Sequence, residues 1–91
     1  MPKGRAKPPK YVAHKERRIL GENVGRRMRE RYKDKTDQTK ALAEESGVGR
    51  STIQRIVDPV TYGSYGPTID TIALLARALR CESSELLESV E

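Results

Sequence analysis

Residues 39–56 read TKALAEESGVGRSTIQRI. The pattern predicts two short helices joined by a tight turn. The first runs to about Glu45 and turns Leu42 and Ala43 inward. Ser46, Gly47 and Val48 make the turn, with Gly47 at the position where a left-handed backbone is needed and a Cβ would clash. Val48 plugs the space between the helices. Gly49 serves as N-cap of the second helix, Arg50 to about Val57, whose buried side is Ile53 and Ile56 at i, i+3 spacing. At about 100° per residue, sinking the two isoleucines turns positions 50, 51, 54 and 55 outward together. Those positions hold Arg50, Ser51, Gln54 and Arg55. Their side chains suit base edges and phosphates, and a major groove about 12 Å wide admits one such helix. The planar forks of Arg50 and Arg55 match guanine O6 and N7, a pairing worth ~1–3 kcal/mol of base discrimination each. Gln54 suits adenine or the backbone. Ser51 and Thr52 are short donors suited to phosphates or a close base. The expected base-contacting set is therefore Arg50, Ser51, Gln54 and Arg55. Gln38, Thr39 and Thr52 are the nearby candidates for the phosphate backbone.

Working outward, Thr36 or Asp37 is placed to cap the first of these helices. A polar loop, 33–38, precedes it. From about Glu16 to Lys33, Leu20, Val24 and Met28 recur every four residues with Ile19 and Tyr32 nearby, the pattern of an amphipathic helix. Gly21 and Gly25 weaken that helix by roughly 1 kcal/mol each relative to Ala and leave room for another helix to approach. Residues 1–10, MPKGRAKPPK, carry three prolines and four basic side chains. They read as part of a flexible basic arm covering residues 1–15, with the globular domain at 16–91.

On the other side, residues 58–67, DPVTYGSYGP, read as a turn-rich loop. Tyr62 and Tyr65 in it are further candidates for backbone contact. Thr68 to Arg80 is the strongest helix, with an apolar stripe of Ile69, Ile72, Leu75, Ala76 and Leu79. Ser83 or Ser84 caps a last short helix ending near Glu88, with Leu86 and Leu87 inward. The expectation is an all-α fold, a compact bundle of five helices without strands.

Composition narrows the function classes. The 91 residues contain no Trp and no Phe, so the core is small and aliphatic. The formal net charge is +5, and it is unevenly placed. Residues 1–35 hold 13 Lys and Arg against 4 Asp and Glu, whereas residues 58–91 hold 2 against 6. A basic front and an acidic rear suit a polyanion on one side. The single Cys81 has no companion at disulfide or metal-ligand spacing. His14 sits alone in the basic arm. No paired carboxylates lie in an apolar setting, and no glycine loop is followed by Lys-Ser/Thr. Neither an enzyme nor a cofactor, metal or small-molecule ligand is expected. With no long apolar run there is no sign of a membrane span, and a cytoplasmic, nucleoid-associated protein is expected.

With these residues placed, the chain resembles the phage-repressor family of lambda-type repressors and Cro-like proteins over about Leu20 to Leu87. Three blocks carry the resemblance. They are the turn and its helices (Ala43, Gly47, Val48, Ile53, Ile56), the segment PTIDTIALLARALRC, and SSELLE. Two positions depart from the family pattern. Thr39 stands where relatives often carry Gln at the start of the second helix, and Val57 stands where many have a Glu paired with a first-helix Arg, here Arg29. The resemblance implies the lambda-repressor-like fold and sequence-specific binding of double-stranded DNA, with positions 50, 51 and 55 favoured as base readers. It also implies a homodimer, with the dimer surface at residues 86–91, and regulation by occupying an operator. An antitoxin that binds a protein partner through its acidic C-terminal third while regulating its own promoter is the alternative.

Overall fold

The computed structural model describes residues 9–63 and 66–88, with side chains from residue 15 onward. Among them there are six helices and no strand: α1 (Pro9–Arg31), α2 (Gln38–Ser46), α3 (Arg50–Val57), α4 (Pro59–Tyr62), α5 (Ile69–Ala78) and α6 (Ser83–Leu86). The all-helical class stands as expected. The sixth helix is α4, a single turn inside the segment read as a loop. Asp58 caps it, its Oδ1 accepting from the Thr61 amide at 3.2 Å, and Pro59 fills the first helical position. An Asp-Pro pair opening a turn is a helix-start signal that the glycines and second proline nearby had masked.

Helix α1 begins at Pro9, seven residues before the apolar periodicity does. Proline lacks the N–H that a first-turn residue leaves unbonded anyway, so it is well placed there. The expected flexible arm therefore overlaps α1 over residues 9–15, and residues 1–8 lie outside the described residues.

The core follows the apolar stripes. Leu20, Val24 and Met28 descend one face of α1, and Tyr32 follows in the turn just after its end. Leu42 comes from α2, Val48 from the turn, Ile53 and Ile56 from α3, Leu75, Ala76, Ala78 and Leu79 from α5 and its end, and Leu86 from α6. Helix α1 lies along α3, and the crossing is permitted by Gly21. A Cβ at that position would run into the Ile56 carbonyl oxygen. Gly25, one turn on, faces only the tip of the Arg29 side chain.

Two apolar positions differ from the sequence expectation. Ile69 is 83 % exposed, although it lies in register with Ile72, Ala76 and Leu79. It opens α5, and that first turn projects past the end of the core. Leu87 is 41 % exposed, because α6 ends at Leu86 and Leu87 is already its C-cap.

A buried polar residue locks the bundle. Asn23 on α1 is 1 % exposed. Its Nδ2 donates to the Leu86 and Glu88 carbonyls, both at 2.8 Å, and its Oδ1 accepts from Arg26 Nη2 at 2.9 Å. The carbonyls at the end of a helix have no partner within it, and here a side chain from a distant helix supplies one. Arg27 adds an ion pair to Glu85 of the same helix at 3.2 Å.

Candidate nucleic-acid interface

The turn between α2 and α3 is built as its sequence demands. Gly47 takes φ +82°, and its N–H donates to the Ala43 carbonyl at 2.9 Å. Ser46, itself buried, accepts the Val48 amide on its hydroxyl at 3.1 Å. Both groups close the end of α2. Gly49 then leads into α3 with an extended backbone and no side-chain cap, so the first N–H groups of α3 keep their donors open.

On α3, Ile53 and Ile56 are buried. Arg50, Ser51 and Arg55 are exposed, and Thr52 and Gln54 are half-buried. The four expected base readers thus share the outward side of one helix. Thr52 and Gln54 reach less far from the body, being flanked by the packed side.

The start of α2 joins this surface. Asp37 caps α2, its Oδ1 accepting from the Lys40 amide at 3.1 Å. Its Oδ2 accepts from Arg50 Nη2 at 2.7 Å, so one carboxylate ties the N-termini of α2 and α3 together. Sequence reasoning found Asp37 as a cap but not as the partner of Arg50. Gln38 donates from Nε2 to the Tyr32 carbonyl at 3.2 Å, which anchors it to the end of α1. Thr39 is half-exposed beside it, and Lys40, not singled out by sequence, is exposed. Tyr62 is 48 % exposed at the end of α4. Tyr65 lies outside the described residues.

Behind this surface α1 and α2 are braced by a second cluster that the sequence did not reveal. Arg31 donates from Nε and Nη2 to the two Glu45 oxygens at 3.0 and 2.9 Å, and the Tyr32 hydroxyl hydrogen-bonds to Glu45 as well. These bonds hold the Glu45 carboxyl down to about 2. Burial, with the Glu45 hydrogen bond second, pushes the Tyr32 phenol up. Asp58 serves as the cap of α4, and Arg29 enters none of the ion pairs among the described residues. Several α1 arginines also have partners within the protein: Arg26 with Asn23, Arg27 with Glu85 and Arg31 with Glu45. Part of the basic excess of residues 1–35 is therefore structural. The thiol of Cys81, pushed up by burial, packs against the core.

A family model described as helix-turn-helix matches residues 26–86, which includes every element from the end of α1 to α6. The chain belongs to the helix-turn-helix family. The match is of the XRE type, as in lambda repressor and Cro, a DNA-binding regulatory domain family, and it supports a DNA-binding transcription regulator. No curated protein and no solved structure gives a significant match. Among the described residues, no helix is long and apolar enough to cross a membrane, and no group of His, Cys, Asp and Glu is arranged to hold a metal ion.

Proposed function

We propose that this helix-turn-helix protein is a sequence-specific repressor of phage or prophage type that reads the major groove with α3. The observation that carries the reading is the two-sidedness of α3. Its isoleucines are sunk in the core, and Arg50, Ser51 and Arg55 are exposed on the other side. Arg55 enters none of the ion pairs among the described residues, and its fork is open to a guanine edge. Arg50 has a different status. Asp37 holds one of its terminal nitrogens, which fixes the direction of the guanidinium and leaves its other donors to a base or a phosphate. Ser51 and Gln54 complete the base-facing set. Thr39 and Thr52 hydroxyls, and the uncapped amides that open α3, are suited to phosphates on either side. Gln38 meets the backbone only if its carboxamide oxygen turns outward, since its nitrogen is bonded to Tyr32. Tyr62, and Tyr65 beyond it, would meet the backbone downstream of α3.

One recognition helix covers few base pairs. Two copies on half-sites about 34 Å apart give the specificity that a repressor needs, and occupancy of such an operator blocks polymerase. The antitoxin alternative would use the acidic C-terminal third as its partner surface. Glu85 there is paired with Arg27, and Leu86 is fully buried, so that third offers less free surface than its sequence suggested. Selection of binding sites from random duplex DNA at a fixed salt concentration tests the proposal. Enrichment of an inverted repeat supports it; failure to enrich any sequence, with a tight protein partner co-purifying, overturns it.

A further inference from the structure

Helix α5 has a second organised face. Its inner side carries Leu75, Ala76 and Ala78, all buried. Asp70, Ala73, Leu74 and Arg77 occupy the opposite side, are all exposed, and line one shallow groove. At about 100° per residue these four fall within an arc of about 100° directly away from the core. Leu74 retains 40 % of its exposure, an apolar side chain in the middle of a solvent-facing surface. Neither Asp70 nor Arg77 enters an ion pair within the subunit among the described residues.

The order of these residues along the helix is self-complementary. Asp70 and Arg77 stand equally far from the midpoint between Ala73 and Leu74. If two copies of α5 lie antiparallel about a two-fold axis through that midpoint, Asp70 of each copy stands opposite Arg77 of the other. Leu74 of each copy then stands opposite Ala73 of the other, so that the two large side chains flank the axis and each meets a small residue that lets the helices approach. One patch then serves both subunits, which is the property of an isologous contact, and the helix dipoles run in opposition. A foreign partner would have no need of this symmetry.

We propose that α5 is the face through which two copies of this chain pair on DNA. The inference rests on the dimeric reading above and differs from the location expected there, residues 86–91, of which 89–91 lie outside the described residues. Leu86 is fully buried in its own subunit, and the carbonyls of Leu86 and Glu88 are bonded to Asn23. One face of a ten-residue helix falls short of the ~1,200–2,000 Å² that stable interfaces bury. Pairing is therefore weak in free solution. It becomes effective when neighbouring half-sites raise the local concentration of the second copy.

Charge exchange tests the pairing. The full chain is titrated onto a duplex with one selected half-site and onto a duplex with the inverted repeat. Wild type should bind the repeat cooperatively. Asp70→Arg and Arg77→Asp should each lower that cooperativity about tenfold, since each sets like charges opposite one another at two symmetric places. The double variant Asp70→Arg/Arg77→Asp, with wild-type net charge, should restore it. Single-half-site binding should follow only the added charge. A DNA-free readout separates this inference from the DNA-reading proposal. In a concentration series by NMR, amides of α5 should shift in wild type and the double variant and stay fixed in the single ones. Cooperativity or concentration shifts unaffected by the single exchanges, or not recovered in the double, would overturn the α5 pairing. Failure of half-site binding with intact α5 shifts would overturn the DNA reading alone.

Discussion

The carboxylate of Asp37 accepts from the Lys40 amide with one oxygen and from the Arg50 guanidinium with the other. Asn keeps the capping oxygen but loses the charge. Asp37→Asn should therefore leave α2 folded and release Arg50. A negative charge near the phosphates also disappears. Affinity for random duplex should rise about five- to tenfold near ~0.1 M salt, the equivalent of one more phosphate neutralised. Base discrimination should fall, because Arg50 loses its fixed direction. Competition binding between selected and random duplexes measures both, and unchanged discrimination would mean that Asp37 does not orient Arg50. Glu45 gives a pH prediction. Its carboxyl lies near 4.5 when unperturbed and about 2 in the fold. A folded-state value below the unfolded one stabilises the fold above the unfolded value, and the benefit disappears as pH falls from about 4.5 to about 2. Glu45→Gln should unfold at lower temperature than wild type near neutrality. The gap should close as pH falls through that window, and thermal melts of both proteins at several pH values would show it. A gap independent of pH would contradict the ion-pair account.

Among the elements, α1 separates two glycines that look alike in sequence. An added methyl at Gly21 meets the Ile56 carbonyl oxygen, a backbone atom that moves only if α3 moves. Gly21→Ala should therefore destabilise the fold by about 1–3 kcal/mol, the usual range for an overpacked site, and weaken DNA binding by shifting α3. At Gly25 the only neighbour is the Arg29 guanidinium, at 3.2 Å, and a flexible tip can swing aside. Gly25→Ala should raise stability by up to about 1 kcal/mol through helix propensity alone. Urea unfolding of the two variants checks the pair; equal and same-signed effects would refute the proposed close crossing. The sequence revealed the turn of the helix-turn-helix to the residue, because Gly47, Val48, Ile53 and Ile56 each answer to local geometry. It hid Asn23, whose acceptors lie more than sixty residues away, and the Arg31–Tyr32–Glu45 cluster, whose members are brought together across two separate helical segments. Ile69 shows a different limit. Periodicity fixes the side of a helix on which a residue falls, but not whether the core extends far enough to cover it.

At the scale of the molecule, α1, α2, α5 and α6 form a support that holds one short helix with its polar side outward. All-helical class, the order of the five expected helices and the position of α3 followed from the sequence, since each depends on apolar spacing and capping within a few residues; the single turn of α4 did not. The self-complementary face of α5 became visible only once the folded chain showed which side of that helix remains exposed. The distribution of charge was legible only in part: the basic front is real in the sequence, but the fold pairs several of its arginines internally. The central claim is that α3 reads bases. It is tested most directly by measuring affinity for every single-base-pair variant of a selected half-site, at one salt concentration, with wild type and with Arg55→Ala. Wild type should lose affinity at a few adjacent positions. Arg55→Ala should erase the preference at one of them, worth ~1–3 kcal/mol, and keep the others. A variant that binds every sequence more weakly by the same factor, or one indistinguishable from wild type, would contradict the claim.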